Sequence, residues 1–83
     1  MTTAFHELDV VALRRDIPSA GLKTGDVGTV VRTYSPTSLE VEFVTASGLT
    51  QALLTLEAAD VRPVTDNDLL AVRSLPSGRG AAP

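Results

Sequence analysis

His6, ten carboxylates and a scatter of hydroxyls are the groups with which this 83-residue chain could begin acid–base, nucleophilic or metal chemistry; it has no cysteine. His6-Glu7 opens like the zinc string H-E-x-x-H, in which two histidines one turn apart hold the metal and the glutamate serves as base. Position 10 is Val10, and the chain has no second histidine. Zinc needs three or four ligands at fixed geometry. A serine nucleophile needs a base, and His6 is the only histidine available to it. Asp9, Asp16 and Asp26 have room to gather near one loop, but surface carboxylates are ordinarily solvated. Asp66-Asn67-Asp68 lacks the alternating frame and the glycine of a calcium loop. The chain is therefore expected to be no enzyme, with no catalytic residue, no metal and no cofactor.

The glycine-rich string Gly21-Leu22-Lys23-Thr24-Gly25-Asp26-Val27-Gly28-Thr29-Val30-Val31 invites comparison with a phosphate cradle. Its spacing fits neither G-x-x-x-x-G-K-[ST] nor G-x-G-x-x-G, and both of those open a helix. Here the glycines open a β-branched run. Gly21, after Pro18-Ser19-Ala20, suits a turn with positive φ. Gly28, inside the strand pattern, marks a bulge, a corner or a close backbone approach.

Charge narrows the partners. The net charge is −3, and only seven residues are basic. Of Arg14, Arg15, Lys23, Arg32, Arg62, Arg73 and Arg79, only Arg14 and Arg15 are adjacent. Such a balance disfavours a nucleic-acid backbone. Single-strand binders also stack bases on several aromatics, and this chain offers Tyr34 and Phe43 on its strands. No apolar run approaches the length of a membrane span. The N-terminal residues lack the basic and apolar regions of a secretion signal. With the missing cysteines, this gives the expectation of a cytoplasmic protein that contacts no membrane.

Five short extended runs must position whatever does the work: Asp9 to Arg14, Val27 to Tyr34, Leu39 to Val44, Thr50 to Leu56 and Val61 to Val64. In the third, Leu39, Val41 and Phe43 share one face and two glutamates the other, the alternation of a half-buried strand. Pro63 confines the fifth run to an edge or a strand end. Ser35-Pro36-Thr37-Ser38 and Ala46-Ser47-Gly48 read as hairpin loops, and Leu56 to Asp60 as one helical turn. The pattern predicts an all-β fold, a small five-stranded SH3-like barrel over about residues 7–64. Its expected core is Val11, Leu13, Leu22, Val30, Val41, Phe43, Leu54 and Val61. Thr65 with Asp68 resembles a capping box before Leu69-Leu70-Ala71-Val72, which predicts a short C-terminal helix from Asp66 to Arg73. Residues 1–74 then form a single domain, and 75–83 a flexible tail.

The strings Glu7-Leu8-Asp9-x-Val11-x-Leu13, Asp16-Ile17-Pro18, Gly21 to Val31, Val41-Glu42-Phe43-Val44 and Leu56-x-x-x-Asp60-Val61-Arg62-Pro63-Val64 resemble a small bacterial family, domain of unknown function 4926. The resemblance covers most of residues 7–66. It implies a small stand-alone bacterial protein encoded beside toxin-like or uncharacterised proteins, and hence an inhibitor or antitoxin-type role. The Gly-Asp-x-Gly-Thr-Val core is also similar to KOW-type barrels, which often bind RNA or ribosomal proteins. The leading expectation is a non-enzymatic protein-binding module with a protein partner. The alternative is a KOW-like nucleic-acid or ribosome-associated barrel. A small barrel is filled by its own side chains, so function falls to its loops. The longest runs from Arg14 to Asp26, and Arg14, Arg15, Asp16 and Ile17, with Tyr34 nearby, form the expected partner-binding face.

Overall fold

A computed structural model describes residues 5–75. Five strands form one antiparallel sheet in the order β4-β3-β2-β1-β5. They are β1 (Val10–Leu13), β2 (Val27–Ser35), β3 (Ser38–Val44), β4 (Thr50–Glu57) and β5 (Val61–Pro63). Short 3-10 turns at Pro18–Ala20 and Ala58–Asp60 interrupt the connections. Among the described residues no helix is long and apolar enough to cross a membrane.

Each strand follows its local pattern. β3 buries Leu39, Val41 and Phe43 and turns Glu40 and Glu42 outward, as a two-residue period dictates. Glu42 accepts from Thr50 Oγ1 at 2.6 Å across the β3–β4 pair. The turn at Pro36-Thr37 joins β2 to β3 with Ser35 opposite Ser38. Register shifts between Val30 and Arg32 and between Thr33 and Ser35 interrupt the β2–β3 ladder; such irregularities bend and twist a strand. β5 pairs with β1 alone, which leaves Pro63 on the edge where its missing N–H costs least.

The core draws on all five strands: Val11 and Leu13 from β1, Val30 from β2, Leu39, Val41 and Phe43 from β3, Leu56 from β4 and Val61 from β5. Ile17 and Leu22 close one end from the long loop. Leu54, expected in the core, is half-buried and packs on its margin, while Leu39, Leu56 and Ile17 take fuller places in it. Gly28 is where strand and core meet most closely. A Cβ there would lie 2.7 Å from Val41 Cγ1 and 2.8 Å from Phe43 Cε2. Of the three roles open to that glycine, close approach is the one observed. Gly21 has φ 72° and donates its N–H to Pro18 O, the left-handed cap anticipated for it.

Two expectations need correction. No ladder joins β4 to β5 among the described strands, so the expected barrel closure is not found. β5 has only three residues, and β1 uses its paired edge. The helix expected from Asp66 to Arg73 does not form either; these residues hold one turn and then no regular structure. Asp68 does accept from Thr65 N at 2.7 Å, so the start signal is genuine. Two turns are too few to stand alone. Arg62 grips Asp68 at one end, and Arg73 is paired at the other with Asp26 in the loop before β2. Of the tail expected over 75–83, Leu75 is described and partly buried; the remainder lies outside the described residues.

Candidate interaction surface

The long loop after β1 is fastened to the body by its own polar side chains. Arg14 N donates to Asp60 O at 2.8 Å. Arg15 Nε donates to Asp60 Oδ1 at 2.9 Å, while the other oxygen of Asp60 takes the N–H of Glu57 at 2.9 Å. The Arg15 guanidinium and the Glu57 N–H hold the Asp60 carboxyl below its usual range, against the opposing effect of burial. Asp16 Oδ1 accepts from both the N–H and the hydroxyl of Thr24, at 2.8 and 2.9 Å; these two donors lower its pKa. Ile17 exchanges backbone hydrogen bonds with Leu22 at 2.9 and 3.1 Å, and its side chain enters the core.

The expected partner face is therefore divided. Arg15 and Asp16 staple the loop, and buried Ile17 is withdrawn from any contact surface, because an aliphatic residue beside Pro18 seals that end of the core. Arg14 and Tyr34 remain exposed. Arg14 lines a shallow groove of about 300 Å3 with Pro36, Thr37, Arg62 and Pro63. Tyr34 is not one of its walls. The Arg32 guanidinium carbon instead sits 5.9 Å from the Tyr34 ring centroid, within cation–π range.

The carboxylates weighed as metal or acid–base candidates are engaged locally. The His6 backbone N–H donates to Asp9 Oδ2 at 2.8 Å, and its exposed imidazole lies 3.8 Å from that oxygen. Asp16 is taken up by Thr24, and Asp26 accepts the N–H of Lys23 within the same loop. Among the described residues no three histidine or carboxylate side chains gather as a metal-holding group.

A larger cleft lies on another side. About 520 Å3 of space is walled by Leu22, Val27, Phe43 and Val44 from the body and by Ala71 to Leu75 from the C-terminal segment. That segment lies against the body as a strap without regular structure. Its fastener is Arg73, which donates from Nε to Asp26 Oδ1 at 2.9 Å and from Nη2 to Asp26 Oδ2 at 2.5 Å. The same Nη2 reaches Gly21 O at 2.9 Å. Asp26 Oδ2 also takes the Lys23 N–H at 2.9 Å. Arg73 first, then Lys23, hold the Asp26 carboxyl below its ordinary range, although burial pushes the other way. Upstream, Arg62 makes a two-pronged pair with Asp68, both contacts at 3.0 Å. That pair and the Thr65 N–H bring Asp68 down to about 2.

A family model described as a domain of unknown function (DUF4926) matches residues 7–63. The chain belongs to this family. No curated protein and no solved structure matches it. The DUF4926 stretch holds all five strands and includes Gly21, Asp26 and Val44 around the cleft. It ends at Pro63, ahead of the strap that supplies Arg73. Sequence reading missed the cleft because Arg73 carries no local signal for a carboxylate 47 positions away. As the last basic residue of a helical pattern it read as a partner for the helix dipole.

Proposed function

We propose that this protein is a protein-binding module whose contact surface is the cleft between β2, β3 and the strap. One observation carries the reading: the body already holds a polypeptide segment, its own Ala71 to Leu75, along one side of this cleft, with a two-pronged arginine anchor. Arg–carboxylate forks of this kind add geometric specificity as well as attraction. Half-exposed Val27 and Val44 supply an apolar wall beside the anchor. The strand order β4-β3-β2-β1-β5 supports reading the scaffold as SH3-like, without the β4–β5 ladder that would close a barrel. In that architecture loops and strand ends carry the contacts while the interior is filled. An inhibitor or antitoxin-type role in a bacterial cytoplasm is the biological setting this reading fits.

Charge supports a protein partner over the KOW-like alternative. Arg15, Arg32, Arg62 and Arg73 each lie within 4.0 Å of a carboxylate. These pairs offset part of the positive charge, in a chain that is already acidic. A phosphate backbone needs several free cations on one face.

Affinity capture with the tagged full chain tests this. Val44→Glu, at an exposed strand end, is expected to lose the partner and keep the fold. Arg14→Ala and Tyr34→Ala, on the competing face, are expected to keep both. Capture that survives Val44→Glu and fails with Arg14→Ala and Tyr34→Ala moves the surface to the β1 side. Recovery of nucleic acid alone overturns the reading.

A further inference from the structure

The strap is held in a way that makes it easy to displace. Leu69, Leu70 and Val72 are 93%, 65% and 99% exposed, so its aliphatic residues gain little from lying where they do. Arg73 and Leu75 are the residues of the last stretch that are partly buried. Side-chain attachment of this stretch to the body rests on the Arg73 contacts with Asp26 and Gly21. The receiving side is more firmly built. Asp26 is oriented by the Lys23 N–H, and Gly21 is held by its own N–H, which donates to Pro18 O at the cap of the Pro18–Ala20 turn. Asp16 also lies close enough to act on Arg73. Without Arg73 this corner keeps two carboxylates, Asp16 and Asp26, against the single ammonium of Lys23.

We propose that Asp26 and the Gly21 carbonyl form an arginine-binding pocket, that Arg73 is its intramolecular occupant, and that the partner docks an arginine-bearing extended segment there by displacing the strap. This rests on the protein-binding reading and names the chemistry of the partner. The adjoining cleft, walled by Leu22, Val27 and Val44, takes aliphatic side chains that flank the incoming arginine. Net charge −3 favours approach of a basic segment, since the field of one sign raises the encounter rate of the opposite charge. The strap acts as a built-in competitor. A tethered group faces its site at an effective concentration in the millimolar range. If it is docked nine-tenths of the time, an outside ligand binds about tenfold more weakly than the open pocket allows. A partner segment must therefore offer more than one arginine contact, which the cleft provides for.

The test uses a fluorescent peptide with the sequence of Leu69–Leu75 as probe, titrated by anisotropy into the full chain. Arg73→Ala vacates the pocket and is expected to bind the probe at least about tenfold more tightly than the parent. Adding Asp26→Asn, which keeps the acceptor for Lys23 N–H, is expected to abolish that gain. A probe with glutamine in place of its arginine is expected not to bind Arg73→Ala, and this arm requires no second change in the protein. Equal binding by parent and Arg73→Ala, or equal binding of the two probes, overturns the proposal. Capture of a protein partner that is indifferent to Asp26→Asn also overturns it and leaves the protein-binding reading standing. Asp26-dependent probe binding with no partner captured removes that reading and keeps the pocket.

Discussion

Arg73 and Asp26, 47 positions apart, meet through two hydrogen bonds of 2.9 and 2.5 Å, and the same arginine reaches Gly21 O. This one side chain fastens the last described residues to the loop between β1 and β2. Arg73→Ala is expected to lower the backbone order parameters from Leu69 to Leu75 and leave those of the strands as before. Order parameters are the suitable readout because no backbone N–H of this stretch is hydrogen-bonded among the described residues, while fast backbone motion reports its attachment directly. Unchanged order in the strap would show that something other than Arg73 holds it.

Gly28 and Phe43 test the packing. Alanine at 28 brings a methyl within 2.7 Å of Val41 and 2.8 Å of the Phe43 ring, so one of them must move. Overpacking of this kind costs about 1–3 kcal/mol. Phe43→Ala, 2% exposed in the parent, leaves a void instead and costs about 3–5 kcal/mol. Denaturant unfolding of both variants measures these losses. For a domain near the lower end of natural stability, about 5 kcal/mol, the second variant keeps only about 0–2 kcal/mol, so it is expected to be marginally stable with up to about half of it unfolded. A midpoint unmoved by Gly28→Ala would mean that Val41 and Phe43 leave room for a methyl beside β2.

The pH dependence of the C-terminal region follows from Asp68. Its folded pKa is depressed to about 2 from the ordinary 3.8. A depressed acid contributes stability above its unfolded pKa and loses it as pH falls toward the folded value. The Arg62–Asp68 fork is therefore intact above about pH 4 and released between 3.8 and about 2. Asp26 and Asp60 are depressed in the same direction, so the strap and the β1 loop loosen at the acid end as well. The Thr65 amide, which donates to Asp68, reports the step by its chemical shift. Release near neutral pH would contradict the fork.

Strands were legible where side-chain alternation is local and complete. Leu39, Val41 and Phe43 announce β3 and its buried face, and Pro36-Thr37 announces its turn. The long-range ends were not. Ile17, in an exposed-looking loop between Asp16 and Pro18, gave no periodic hint that it would cap the core. Thr65 and Asp68 form the predicted start of a helix, but the residues after it take no regular structure and Arg73 pairs with Asp26 instead. Arg15 looked free for a partner because Asp60, its actual partner, is 45 positions away. Short-range pattern governs the elements of this chain, and charge pairs between distant loops govern what is left over for binding.

Amide shift mapping on the isotopically labelled full chain, with the captured partner added, tests the central claim most directly. The account predicts that the amides of Gly25, Asp26, Val27 and Val44 shift together with those of Ala71 to Leu75, while the Arg14, Tyr34 and Arg62 amides stay in place. Shifts confined to Arg14, Tyr34 and Arg62, with the cleft unmoved, would contradict it.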